Sequence, residues 1–407
     1  MKKTVVFAFA CGLFVGLAAA APACRQLEAG LPHEVVLPFP QGLPKTVRVL
    51  PLSFAGDVAY ETNAVRLCLK DPVRLRVDFG GDAPSQTVFV RPRDTVTLRS
   101  TDLYFAPGTH QAGEIVPKAG TRVILARGAV VRGTIRVRRA DGVSVVGGGI
   151  LDATDSGADA ALAVEDSSDV QVSGIQVFSP SRSGSVGLSL SDVSQVAVRG
   201  VFVQATGEAI RLVGGRVRNV TVADVDLDCG GTNVSVVATG ANADVRGVSV
   251  QSCRLWDALG LPVSINAAGA DVRTLTFSDF ELDVKPYSGR AELPLFAVAA
   301  RRPEIAFRRF RLLGDKLPPV AAVESQLPGA VVAEDLPAFA LRSAGAGAVR
   351  VLHPRAYCPP AGESGETQFP ACAPQPQRAA VPCVLNRASR PARNPRTSGF
   401  GHRRRRH

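Results

Sequence analysis

The sequence predicts an all-β chain: a right-handed parallel β-helix preceded by a small β-sandwich. Three observations lead there. A short strand signature recurs at Val143–Val145, Val170–Val172, Val196–Val198, Val220–Val222, Val248–Val250, Leu275–Phe277 and Ile305–Phe307, at intervals of 27, 26, 24, 28, 27 and 30 residues. A period of that size marks a stacked repeat. Each repeat holds short alternating runs parted by Gly, Asp, Ser and Asn, with no room for a helix pair, so each repeat is one coil of a β-solenoid. Composition agrees: 46% of the residues are hydrophobic but only 6% aromatic. That leaves small β-branched side chains to fill a narrow interior as ladders.

The elements follow in order. Lys2 and Lys3, the apolar run Val5 to Leu17 and Ala18-Ala19-Ala20 read as a signal peptide over residues 1–20. The apolar run is shorter than the ~20 residues a membrane span needs, and no later run is apolar enough, so a secreted protein without a membrane span is expected. Residues 22–95 carry alternating runs at Thr46–Leu50, Ala64–Leu69, Val73–Phe79 and Thr87–Val90, divided by Asp71-Pro72 and Gly80-Gly81-Asp82. They show no repeat period, which points to a separate β-sandwich. The solenoid is assigned to 96–345, with clear coils to about residue 312 and one or two closing strands beyond. Residues 359–407, rich in Pro, Ala and Arg, read as a disordered tail.

The formal charge of +11 belongs to that tail. Nine arginines and no acid follow Glu366, and the remainder sums to +2. The Arg403–Arg406 run is a candidate contact for an anionic surface or polymer; nothing aromatic is interleaved to suggest nucleic-acid recognition. Seven cysteines outlast the signal peptide, and export permits disulfides. Cys229 and Cys253, 24 residues apart, are expected on neighbouring turns, and Cys24 with Cys68 would tie down the N-terminal part. No spacing suits a metal, and no cofactor is expected.

Counting eight residues from the first residue of each signature gives Phe178, Gln204, Asp228, Trp256 and Asp283. Stacked coils would set these five in one row. An indole beside carboxylates suits a sugar chain, the ring lying on a pyranose face and the acids accepting from hydroxyls. Trp256 serves equally as a core residue, and the aspartates as turn residues. Glu208, after Thr206-Gly207, is a second candidate carboxylate at a strand mouth.

The stretches Tyr104-Phe-Ala-Pro-Gly-Thr-His110, Val123-Ile-Leu-Ala-Arg-Gly-Ala-Val-Val-Arg-Gly133 and Gly147-Gly-Gly-Ile-Leu-Asp152 resemble the β-helical glycoside hydrolases, the polygalacturonase and dextranase–isopullulanase group, over roughly residues 40–300. The resemblance implies acid/base catalysis at the coils around residue 208. There Glu208 stands before Ala209-Ile210 where that group carries an Asp before Gly-Ile. Gly231-Thr232 replaces its Asp-Asp pair, Gly260-Leu261-Pro262 its Gly-His-Gly, and no Arg-Ile-Lys equivalent lies near Leu293–Ala297. Hydrolysis needs two carboxyls, so Asp228 and Asp257 join Glu208 as suspected catalytic acids, with Trp256, Gln204, Asp283 and Phe178 as substrate-binding residues. The expectation is an exported protein that interacts with polysaccharide, its hydrolysis weakened or lost. The alternatives are an active glycosidase and a structural or adhesive surface protein.

Overall fold

The structure, a computed structural model, describes residues 23–28, 33–39, 47–54, 56–80, 85–91, 97–256, 260–284, 292–314, 319–327, 329–337, 339–345 and 348–352. The expected signal peptide, the basic tail and Asp257 lie outside them. Every regular element among the described residues is a β-strand.

From Leu103 to Leu352 the chain winds into a parallel solenoid. Each coil presents three faces. The first is built by Ala160–Glu165, Val186–Ser191, Glu208–Gly214 and Thr232–Ala238 and their successors. The second starts with Ser168–Ser173 and Ser194–Arg199. The third starts with Gln176–Phe178 and Phe202–Ala205. Further along, one continuous strand bends through two faces, as in Arg216–Cys229 and Asp244–Trp256.

The bends are single residues in the left-handed region. Gln195 (φ 56°), Asn219 (54°) and Thr274 (56°) turn the chain onto the second face. Asp224 (51°), Ser252 (54°) and Asp279 (58°) turn it onto the third. Short polar side chains tolerate this conformation best, which explains the Asp, Asn and Ser that punctuate the repeat.

The recurring signature is the inward edge of the second face. Val145, Val172, Val198, Val222, Val250, Phe277 and Phe307 stack in register and are fully buried. Each buried Val or Phe is worth about 1.5–3 kcal/mol over exposure. Towards the C-terminal end the valine ladder gives way to phenylalanines. Phe280 stacks on Phe310 at 4.6 Å, and Phe296 lies on Phe307 at 3.8 Å and 6°. Stacking continues past residue 312, through Pro319–Ser325, Ala330–Glu334, Ala340–Gly345 and Ala348–Leu352, all still parallel.

The N-terminal residues form two sheets over a shared apolar core. A four-stranded sheet has the order Ala23–Glu28, Gln86–Arg91, Val73–Asp78, Arg48–Leu50. A three-stranded sheet has the order His33–Pro38, Ala64–Leu69, Asp57–Tyr60. Val35, Leu37, Val65 and Leu67 of the second meet Leu75, Val77, Val88 and Val90 of the first.

The expected facing of Cys229 and Cys253 is corrected. Cys253 is opposite Val225, and Cys229 lies four residues further along its own strand. Both are buried free thiols. The repeat interval is 24 where the chain measures from Val196 to Val220, but the coil carrying Cys229 and Cys253 is 28 residues long, which puts the two out of phase. Cys68 is disulfide-bonded.

Candidate functional site

The row drawn from the sequence exists. Phe178, Gln204, Asp228 and Trp256 are Cα partners on successive coils, and Asp283 follows the Leu255–Leu282 pair on the next. The side chains face outward on the third face, yet they are not open to a ligand, because the N-terminal lobe lies on them. Trp256 is fully buried. Its indole meets Phe202 at 5.0 Å, Phe202 meets Phe89 at 5.3 Å, and Leu50 and Phe178 complete the cluster.

Charge closes the same seam. Arg76 pairs with Asp228. Arg74 reaches Asp224 at 2.6 Å and also pairs with Asp226, whose carboxylate has no exposed surface and accepts from Arg254 at 2.5 and 3.0 Å. The Leu52 backbone N–H donates to Asp283 at 3.1 Å, and Ser53 donates to Glu281. Trp256 therefore has no face for a pyranose here, and Asp228 is held by an arginine instead of facing a scissile bond. The expected sugar row is an interlobe seam. Gln204, half-buried between Phe178 and Asp228, belongs to it.

Glu208 lies elsewhere, at the mouth of the first face, about a quarter exposed. Its carboxylate accepts from Arg211 Nε at 2.8 Å and from the Ser235 hydroxyl of the next coil. The hydrogen bond to Glu208 pushes the Arg211 pKa up, against the opposing effect of burial. The residues in register with Glu208 on the coils before and after are Val186 and Thr232. Asp159, beside the start of the strand two coils earlier, is paired with Arg182 and acts on Arg211 through its charge.

Backbone packing fixes this mouth. Gly207, Gly231 and Gly260 stack on consecutive coils so closely that a Cβ on Gly231 would overlap the Gly207 carbonyl, and one on Gly260 the Gly231 carbonyl. Beside them Ser185 hydrogen-bonds Thr206 at 2.7 Å, and the Thr206 hydroxyl donates to the Arg182 carbonyl at 2.8 Å. Beyond the mouth, Ser189, Arg211, Ser235, Ser264, Ala297 and Ala322 form one outward row on six coils. At about 4.8 Å per coil that is a flat strip of roughly 24 Å.

Sequence reasoning placed Glu208 at a strand mouth and missed its partners. Arg211 was open to discovery, since it holds an outward position between the inward Ile210 and Leu212. Asp159 and Arg182 lie in loops without repeat signal. No group of three or more His, Cys, Asp or Glu side chains among the described residues could hold a metal.

No family model matches this sequence, and no curated protein matches it. Solved structures are similar to it in fold. Dex49A from Penicillium minioluteum is 14% identical with a TM-score of 0.47, over 86% of this chain and 75% of that one. The polygalacturonase from Erwinia carotovora ssp. carotovora is 10% identical at 0.40, over 61% and 85%. The family 28 exopolygalacturonase from Yersinia enterocolitica is 10% identical at 0.38, over 72% and 85%. The strand pairing of the chain itself defines a parallel β-solenoid.

Proposed function

We propose that this is an exported polysaccharide-interacting β-solenoid whose hydrolytic activity is weak or lost. The observation that carries the reading is the company Glu208 keeps. A general acid needs a carboxyl held protonated by an apolar setting, with a second carboxylate across the bond. Glu208 lies between a guanidinium and a hydroxyl, Val186 and Thr232 flank it in register, and Asp159 faces Arg182. Among the described residues, no carboxylate stands in register with Glu208 on the coil before or after it. The strip of small side chains with Ser189 and Ser264, and the polar mouth with Glu208 and Arg211, supply what a sugar chain needs for docking: a shallow surface with hydrogen-bond partners at its edge. The disulfide at Cys68 supports export to an oxidising compartment.

Reducing-end release from dextran, pullulan and polygalacturonate tests the reading. The wild-type protein is expected to release none at a rate above background while retaining one of the three on a binding column. Glu208→Gln and Arg211→Gln are each expected to weaken that retention several-fold. Release that disappears in Glu208→Gln or Asp257→Asn would instead establish an active glycosidase.

A further inference from the structure

We infer that the corner between the first and second faces is a binding site for a linear anionic polysaccharide. The inference does not rest on the Glu208 site, which opens at another edge of the coil. Arg218, Arg246 and Arg273 are Cα partners on three successive coils, so their guanidiniums repeat about every 4.8 Å along the solenoid. Across the four-coil strip of residues 216–219, 244–247, 271–274 and 301–304, six arginines face three carboxylates. The three stacked side chains are 37%, 50% and 58% exposed.

Intramolecular pairing engages Arg218 and leaves Arg246 and Arg273 loosely held. Asp244 pairs closely with Arg218 and lies 3.4 Å from Arg246. Asp271 is engaged by Arg301 at 2.8 Å, which leaves Arg273 at 3.8 Å. Contacts of 3.4 and 3.8 Å at the surface contribute little, so Arg246 and Arg273 keep donors for a ligand, and Arg218 adds its charge at the head of the row. A partner whose negative charges recur along a line gains from every coil at once, since the ladder is preorganised by the sheet.

The neighbouring row specifies sugar over nucleic acid. Thr221, Ser249 and Thr276 stack beside the arginines, half-buried, and present hydroxyls. No aromatic side chain lies in the strip for a base to stack on.

The test measures affinity for polygalacturonate across a salt series, with the C-terminal tail intact in every variant. Arg218→Gln/Arg246→Gln/Arg273→Gln should bind at least about tenfold more weakly at low salt. By analogy with counterion release from single strands, the log–log salt slope should become shallower by about 2. The corresponding triple lysine variant should keep the wild-type slope. Wild-type affinity in the triple Gln variant would overturn the proposal. So would an equal loss in Arg132→Gln/Arg136→Gln/Arg138→Gln, which removes the same charge from the coils near the start of the solenoid. A larger loss for duplex DNA than for polygalacturonate would assign the strip to nucleic acid and overturn it too.

Discussion

A carboxylate near the start of the solenoid shows how one residue sets a pH response. The hydrogen bond from Arg122, reinforced by the Arg99 backbone N–H, holds the Asp102 pKa down to about 2. The group titrates lower folded than unfolded, so its stabilisation is complete above the unfolded value of about 3.9 and fades as pH falls through 2. Arg122→Gln should therefore lower the unfolding midpoint at pH 6, and the difference from wild type should close below about pH 2. Denaturant titrations at several pH values read this directly. Backbone contact governs a second residue. Gly231→Ala places a methyl group against the Gly207 carbonyl, an overpacking that costs about 1–3 kcal/mol. Thermal unfolding should show a clear drop in midpoint, whereas alanine at Gly157, which has nothing within 4 Å, should leave it near wild type.

Among the elements, the third face and the N-terminal lobe form a pair that neither alone explains. The row Phe178, Gln204, Asp228, Trp256 and Asp283 was legible because the repeat sets register. What covers it was not. Arg74 and Arg76 are about 150 residues away from Asp224 and Asp228, and the N-terminal strands share no period with the coils. A row of aromatic and acidic side chains looks the same in sequence whether it faces a sugar or another part of the chain. Only the full burial of Trp256 decides between them. The seam carries its own reporter, because Trp256 is the single tryptophan. Arg74→Ala leaves the enclosed Asp226 carboxylate with Arg254 alone, a loss of the order of 3 kcal/mol. Its emission should shift to the red at denaturant concentrations where wild-type emission is unchanged. A native-like blue emission throughout would show that the lobe does not depend on this pair.

At the scale of the molecule, the period in the valines sufficed for the solenoid, since a parallel ladder demands equal repeats. The signature itself fades beyond residue 312, where prolines break it, while strands such as Pro319–Ser325 still stack. The period misjudged the cysteines, because coil lengths vary between 24 and 30 residues and phase is lost within one turn. The structure places both thiols where only unfolding exposes them. Burial pushes the Cys229 thiol up to about 12 and raises Cys253 as well, so neither offers thiolate at neutral pH. Alkylation followed by peptide mass spectrometry should leave both unmodified in the native protein and modify both together once the coils open.

The lobe that covers the third face bridges five consecutive coils, from Phe178 to Asp283. It works as a splint. A bare spiral of this kind can yield at any junction between windings, but here the middle windings are tied crosswise through Leu50, Leu52, Arg74 and Arg76. When the two ends are pulled apart in an optical trap, the windings after Gly314 should peel away first, and the braced segment should give way last and in one step.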